Sequence, residues 1–149
     1  MIERNFVGPV DFTRYLQVLK AKRAAQKRAI RKRRPKRRNL SLTNRQSILE
    51  KTSGRCHICG GAVGSTRWQA DHVLALSGGG THLVDNYLPA HRLCNNYRWD
   101  YLPDEFQYIL KLGVWARTQV EKETKIGRTI AERFTRAEAA RLRRRRTGG

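Results

Sequence analysis

Two pairs of residues in this sequence have the types and the spacing of metal ligands. Cys56 and Cys59 form a C-x-x-C pair, and His91 and Cys94 form a second pair with the same spacing. A structural zinc ion takes four sulfur or nitrogen ligands in a tetrahedron, commonly from two turns that each present residues three apart. The spacing therefore predicts a Cys3His site for structural zinc.

Other interpretations of these residues stay open. The thiols can be unliganded, with His91 an ordinary polar residue. A redox C-x-x-C pair is a further alternative, but the thioredoxin-like context of strands and crossover helices is missing. The chain has three cysteines, and an odd number cannot form a closed disulfide framework.

An acid and a base lie next to each other between the two pairs, at Asp71 and His72. Hydrolysis of a phosphodiester needs a base that removes a proton from water. It also needs a metal ion that neutralises charge on the phosphate and the leaving oxygen. One imidazole and one carboxylate-bound metal can supply both, so Asp71 and His72 are candidates for chemistry on phosphate.

Together these motifs resemble those of the HNH endonucleases of the ββα-metal group. The residues that carry the resemblance are Cys56-x-x-Cys59, Asp71-His72, the glycine-rich loop at 77–80, Asn86 and His91-x-x-Cys94-Asn95. The family pattern is His, then Asn, then His or Asn. His72, Asn86 and Asn95 match its separations, with thirteen and then eight residues between them. The resemblance covers about residues 45–98.

The resemblance implies an α+β fold, with a ββα-metal core (His-Me finger, treble-clef-like) that contains structural zinc. The charge and the helical patterns outside it predict that the core is flanked by helical basic extensions. It implies that His72 is the general base and that Asp71 and Asn95 hold a catalytic divalent ion, Mg²⁺ or Mn²⁺. Asn86 would brace the loop through backbone hydrogen bonds. The oxygen ligands of Asp71 and Asn95 suit Mg²⁺, whereas thiolates suit zinc.

Two positions depart from the commoner family pattern. His91 stands where a Cys is commoner, and Asn95 stands where other members have a His. Zinc accepts either ligand at the first position, and an amide at the second leaves the catalytic ion with more water in its shell. The remaining histidines, His57 and His82, are interpreted as bystanders, although His82 could contact substrate phosphate.

The implied activity is metal-dependent hydrolysis of DNA, either by nicking one strand or by cutting both strands as a dimer. An alternative from another class is a zinc-stapled nucleic-acid-binding protein that does not cleave. A third interpretation, an RNA-binding or ribosome-associated basic protein, depends on the basic arms alone. Asp71, His72 and Asn95 favour the first, because a pure binding module needs no such groups at these intervals.

The chain is strongly basic, with 32 Lys and Arg against 12 Asp and Glu and a formal net charge of +20. Such an excess repels itself unless a polyanion is nearby. DNA is the expected partner, with RNA or a nucleoprotein complex also open. An anionic membrane surface competes as a partner, but no apolar run reaches the roughly 18 residues of a spanning segment. The N-terminus lacks the features of a secretory signal, so we expect a cytoplasmic protein associated with nucleic acid.

Basic residues are concentrated between Lys20 and Arg38, where twelve of nineteen residues are Lys or Arg. The alanines permit a helix from Leu16 to Arg34 against a polyanion, until Pro35 interrupts it. A solubilising tail is the alternative to phosphate contact. The candidate nucleic-acid contacts, in this run and beside the metal motifs, are Arg31, Arg33, Arg34, Arg37, Arg38, Arg92 and Arg98.

The composition predicts three parts: a basic N-terminal arm at 1–40, a nuclease domain at 41–100, and a C-terminal helical extension with a basic tail at 101–149. In the central part, Thr43 and Gln46 form a capping-box pattern for a helix through about Lys51. Residues 67–73 and 86–88 predict two strands, the second ending before Pro89, and a helix should begin near His91.

The C-terminal third has helical patterns. Pro103 at a helix start and the apolar spacing after it predict one helix. A second helix is predicted from about Thr129, ending in a cluster of arginines.

Overall fold

The computed structural model describes residues 9–31, 39–64 and 67–147. Its α-helices are α1 (Pro9–Arg31), α2 (Leu42–Glu50), α3 (Arg92–Arg98), α4 (Pro103–Glu121) and α5 (Lys125–Thr147). Its strands are β1 (Trp68–His72) and β2 (Tyr87–His91), with 3-10 turns at Leu76–Gly78 and Val84–Asn86 between them. The chain divides into two compact units, at 1–106 and 107–149. The predicted boundaries at 40 and 100 stay a prediction.

The first unit contains a ββα arrangement, which confirms the α+β fold. Strands β1 and β2 pair antiparallel, with Trp68 opposite His91 at one end and His72 opposite Tyr87 at the other. Helix α3 follows β2 directly, and His91 is its N-cap residue. The last residue of β2 is therefore fixed to both the sheet and the helix.

A small apolar core supports this arrangement from the side of α2. Ile48 of α2 is fully buried against Trp68 and Tyr87 of the two strands. The capping box at Thr43 predicts the start of α2, and this start is wrong. Ser41 is the N-cap, and its hydroxyl accepts a hydrogen bond from the backbone N–H of Asn44 at 3.1 Å. Ser41 serves as the cap because its hydroxyl satisfies an N–H of the first turn, which has no partner within the helix.

The second strand is displaced from its predicted position. It runs from Tyr87 to His91 and includes Pro89, whereas Asn86 belongs to the preceding 3-10 turn. Pro89 has no N–H to donate, but a two-stranded sheet leaves both strands with an open edge where proline is tolerated. The carbonyl of Pro89 accepts a hydrogen bond from the backbone N–H of His57 at 3.0 Å, which ties the first metal-ligand turn to this strand.

The basic arm contributes an ordered helix to the first unit. Helix α1 ends at Arg31, so it overlaps the predicted helix from Leu16 to Arg34. Residues 32–38, with the candidate contacts Arg33, Arg34, Arg37 and Arg38, lie outside the described residues.

The second unit consists of the greater part of α4 together with α5. Helix α4 begins at Pro103, as predicted, and α5 begins at Lys125, about one turn before the predicted start. Thr124 caps this start, because its hydroxyl accepts a hydrogen bond from the N–H of Gly127 at 3.0 Å. Within the described residues, no helix combines the length and the apolar character needed to cross a membrane.

Candidate active site and metal centre

The four predicted zinc ligands lie together. One ligand atom from each of Cys56, Cys59, His91 and Cys94 falls within 4.8 Å of all the others. Nδ1 of His91 is 3.3 Å from Sγ of Cys59 and 3.8 Å from Sγ of Cys94. A tetrahedron with usual zinc bond lengths places sulfur and nitrogen about 3.6 Å apart. The cluster therefore has the ligand set and the size of a structural zinc site.

The second nitrogen of His91 is oriented by the backbone. Nε2 donates a hydrogen bond to the carbonyl of Ala62 at 2.9 Å, which leaves the lone pair on Nδ1, the nitrogen that faces the thiols. A ligand histidine usually has such a partner on its other nitrogen. The hydrogen bond thus selects the tautomer that a metal ion requires.

The thiols themselves favour a cation between them. Burial raises the pKa of the Cys56 thiol, but backbone N–H donors led by those of Cys59 and His91 outweigh burial and lower the pKa to about 6. Burial, the Cys59 side chain and the charge on Cys56 raise the pKa of the Cys94 thiol to about 12. The thiolate form of Cys56 is thus stabilised, whereas ionisation of Cys94 beside it is disfavoured. A divalent cation bound between the sulfurs would stabilise both thiolates.

The predicted catalytic groups line one cleft. Asp71 and His72 come from the end of β1, and Asn95 comes from the middle of α3. All three face a cleft of about 1120 Å³ that extends towards α1. The structure therefore brings together a carboxylate, an imidazole and an amide that are separated in sequence.

Asp71 is buried and held by two basic side chains. Its exposure is 5%, Oδ2 is 2.8 Å from Nε2 of His57, and Oδ1 accepts a hydrogen bond from Arg98 at 3.3 Å. Both partners orient the carboxylate at the wall of the cleft. A carboxylate has about four lone-pair positions, so two partners do not exhaust it.

His72 contacts a second histidine. Its Nε2 is 3.2 Å from Nδ1 of His82, and the same Nδ1 is 2.9 Å from the hydroxyl of Tyr87. The ring of His72 also packs against Tyr87, with 4.4 Å between ring centroids. The orientation of His72 is therefore fixed by residues on the loop and on β2.

His57 and His82, interpreted from the sequence as bystanders, each contact a predicted catalytic residue, Asp71 and His72 respectively. His57 is brought to Asp71 by its position beside the ligand Cys56 in the first metal turn. This adjacency is the signal in the sequence that could have identified it. His82 has no comparable signal, because the loop that returns it to His72 has no regular pattern.

Asn86 holds the loop between the strands. Its Oδ1 accepts from the N–H of Leu74 at 2.9 Å, and its Nδ2 donates to the carbonyls of Leu74 and Thr81 at 3.0 and 2.9 Å. This is the backbone bracing that the resemblance implies. Gly80 lies directly against the brace, since a Cβ there would be 1.9 Å from the carbonyl oxygen of Leu74 and 2.8 Å from Nδ2 of Asn86.

Asn95 and Arg98 are positioned on α3. Nδ2 of Asn95 donates to Oε1 of Gln69 at 2.7 Å, which orients the amide of Asn95. Arg98 donates to the carbonyl of His72 at 2.7 Å and also to that of Val73. Arg98 therefore fixes the end of β1, and its contact with nucleic acid stays a prediction. So does that of Arg92, which is exposed at the start of α3.

Comparison with known families agrees with the site. Residues 56–98 match the family model described as HNH endonuclease, and the match spans both ligand pairs and the cleft residues on β1 and α3. The curated proteins contain no match to the chain. Residues 56–98 are therefore similar to HNH endonuclease domains, and the Cys3His cluster within them could hold a metal ion, as in the zinc-binding kind of this domain.

Proposed function

We propose that this protein hydrolyses DNA phosphodiester bonds in a reaction that depends on a divalent metal ion. The observation that carries the proposal is the convergence of Asp71, His72 and Asn95 on one cleft. The resemblance to HNH endonucleases implies these roles, with His72 as the base and Asp71 and Asn95 as the two oxygen ligands. In the proposal, zinc occupies the Cys3His cluster and is structural.

The donors in the cleft fit a hard cation. Asp71 and Asn95 offer carboxylate and amide oxygens, which Mg²⁺ and Mn²⁺ prefer over sulfur or imidazole ligands. A divalent ion held there would neutralise charge that develops on the phosphate and on the leaving oxygen. Gln69 supports this role because it accepts a hydrogen bond from Nδ2 of Asn95. Oδ1 of Asn95 then remains as the atom that can bind the ion.

His72 has the role of general base. It removes a proton from a water molecule as the water oxygen forms a bond to phosphorus. The bond from phosphorus to the leaving sugar oxygen then breaks, and that oxygen keeps the electron pair and takes a proton from solvent. His82, at 3.2 Å from Nε2 of His72, is a positioning residue that holds the imidazole in place.

DNA is the proposed substrate because of the charge of the protein. A formal net charge of +20 favours a polyanion, and release of counterions from the phosphates makes such binding strong and dependent on salt. RNA is tested as an alternative substrate in the same assay.

A second candidate function is a nucleic-acid-binding protein without cleavage. The observation that favours it is the pairing of Asp71 with both His57 and Arg98, since a carboxylate used only for structure would be paired in this way. The two candidates differ in whether a divalent ion and His72 are needed for any change in the nucleic acid.

The test is conversion of supercoiled plasmid to nicked or linear DNA by purified zinc-loaded protein with Mg²⁺, with Mn²⁺ or with no added divalent ion. We expect cleavage with either ion and none without added ion, with the zinc content equal in all three samples. His72→Ala should lower the rate by about 10²–10⁴-fold, the usual contribution of a general base, while plasmid binding and zinc content stay unchanged. Cleavage by His72→Ala at the wild-type rate would remove His72 from the mechanism, and no cleavage by wild type under any condition favours the binding protein.

A further inference from the structure

One face of α1 is buried in its middle part and lines the cleft towards its C-terminal end. Leu19 is buried at 5% exposure, and Arg23, one turn later, is buried at 8%. Lys27, Ile30 and Arg31 follow on the same face, since they stand four, seven and eight residues after Arg23. These last three residues line the cleft that contains Asp71 and His72.

Arg23 anchors α1 to the segment that follows α3. Its Nε donates to both carboxylate oxygens of Glu105, at 3.0 and 3.2 Å, and Glu105 is only 5% exposed. The guanidinium lies over the rings of Trp99 and Tyr101, at 4.5 and 5.0 Å from their centroids. Arginine is rarely buried unless it is paired. The anchor therefore indicates that α1 is a fixed part of the first unit and not a solvated arm.

A second contact lies closer to the cleft. Lys27 forms an ion pair with Asp100 and lies 4.5 Å above the ring centroid of Trp99. Arg31 follows one turn later, is exposed, and lines the cleft. A helix rises about 1.5 Å per residue, so the cleft residue Arg31 lies about 12 Å along α1 from the anchor Arg23. Two basic side chains of α1 thus line the same cleft as the proposed catalytic groups.

We propose that α1 is the second wall of the cleft, and that Lys27 and Arg31 bind backbone phosphates of the nucleic acid held against His72. The proposal deepens the proposed function and rests on it for the identity of the ligand. Arg23 and Glu105 are positioning residues, because they hold α1 and do not themselves contact the phosphates.

The first test compares two double variants that remove the same charge from the same helix. Lys27→Gln with Arg31→Gln changes the cleft wall. Lys20→Gln with Arg28→Gln is the matched control, because both residues are exposed on α1 and neither lines the cleft. Both are made in the His72→Ala background, and binding of a labelled DNA duplex is measured over a range of salt concentrations.

The cleft variant should bind more weakly, and the slope of log K against log salt should fall by about 0.9 for each phosphate that the protein no longer neutralises. The fall should lie between about 0.9 and about 1.8, because Lys27 is already paired with Asp100. The control should keep the slope of its parent. Equal slopes for the two double variants would overturn the proposal. Binding is measured without cleavage, so the two proposals can fail separately. If the wild-type protein cuts no DNA but the two double variants differ in slope, α1 is still a wall of the cleft and only the proposed hydrolysis is refuted.

The second test uses Glu105→Gln. In the wild-type protein, Glu105 accepts a hydrogen bond from the backbone N–H of Leu102 at 2.9 Å, and the glutamine retains an oxygen that can accept it. The variant makes the protein more positive, so long-range attraction alone predicts tighter binding of the duplex. Loss of the anchor predicts weaker binding and faster hydrogen exchange of the α1 amides. Tighter binding with unchanged exchange in α1 would contradict the proposed wall.

Discussion

The metal cluster and the cleft lie at different ends of one small sheet, and they are built in different ways. His91 pairs with Trp68 at the cluster end, whereas His72 pairs with Tyr87 at the cleft end. The cluster takes its four ligands from two short motifs that need only be brought together. The cleft depends on single side chains held by hydrogen bonds from loops and helices far away in sequence.

Because of this difference, substitution of one side chain should have different effects in the two regions. Four ligands around one ion form a unit that is lost when any ligand is lost, because the binding energy of the ion is part of the folding energy. In the cleft, Asp71 has two partners and the loop is held by three side-chain hydrogen bonds of Asn86. Loss of one of these interactions should therefore reduce stability or activity only in part.

Loss of the cluster is the largest expected effect on stability. Cys56→Ser replaces a ligand that is 1% exposed, and structural zinc contributes about 10–16 kcal/mol in small zinc-dependent folds. We expect the zinc content to fall, and cooperative thermal unfolding of the first unit to disappear or to shift down by more than about 10 °C. A chelator should have the same effect on the wild-type protein.

The matched control for the cluster is His91→Cys, which exchanges one zinc ligand for another. It should retain zinc and most of the stability, although it loses the hydrogen bond to Ala62. A Cys56→Ser protein with wild-type stability would show that the cluster does not staple the fold.

A smaller effect is expected from crowding the loop brace. Gly80→Ala places a methyl group 1.9 Å from the carbonyl oxygen of Leu74 and 2.8 Å from Nδ2 of Asn86, so either the loop or Asn86 must move. Overpacking of this kind costs about 1–3 kcal/mol. We expect a lower free energy of unfolding by urea denaturation and slower plasmid cleavage, with zinc content unchanged.

Gly78→Ala is the control for this loop. Its Cβ would meet only the end of the Leu74 side chain, at 3.3 Å, which can rotate away, so the change should cost less than about 0.5 kcal/mol. If Gly78→Ala and Gly80→Ala reduce stability equally, the brace at Asn86 is not the cause.

The sequence predicts the cluster well because its information is local. Two pairs of ligands with equal spacing identify the metal site, and the separations of His72, Asn86 and Asn95 identify the cleft. The predicted start of α2 is misplaced because Ser41 and Thr43 both stand three residues before a capping partner. Local pattern does not decide between them.

The contacts that sequence analysis missed are those between distant segments. Arg23 and Glu105 are 82 residues apart, and nothing in a run of basic residues distinguishes the one that becomes buried. The contact of His57 with Asp71 is also hard to predict, because it depends on how the first metal turn packs against β2. The contact between Arg23 and Glu105 has no short motif, whereas the position of His57 beside Cys56 is a local signal for its contact with Asp71.

The most direct test of the account is chemical rescue of His72. His72→Ala plasmid cleavage is measured with increasing imidazole in the presence of Mg²⁺ or Mn²⁺, beside Asn95→Ala under the same conditions. If His72 is the general base, imidazole should restore part of the rate to His72→Ala and none to Asn95→Ala, since imidazole can accept a proton but does not replace an oxygen ligand. Equal stimulation of both variants, or an undiminished rate in His72→Ala without imidazole, would contradict the account.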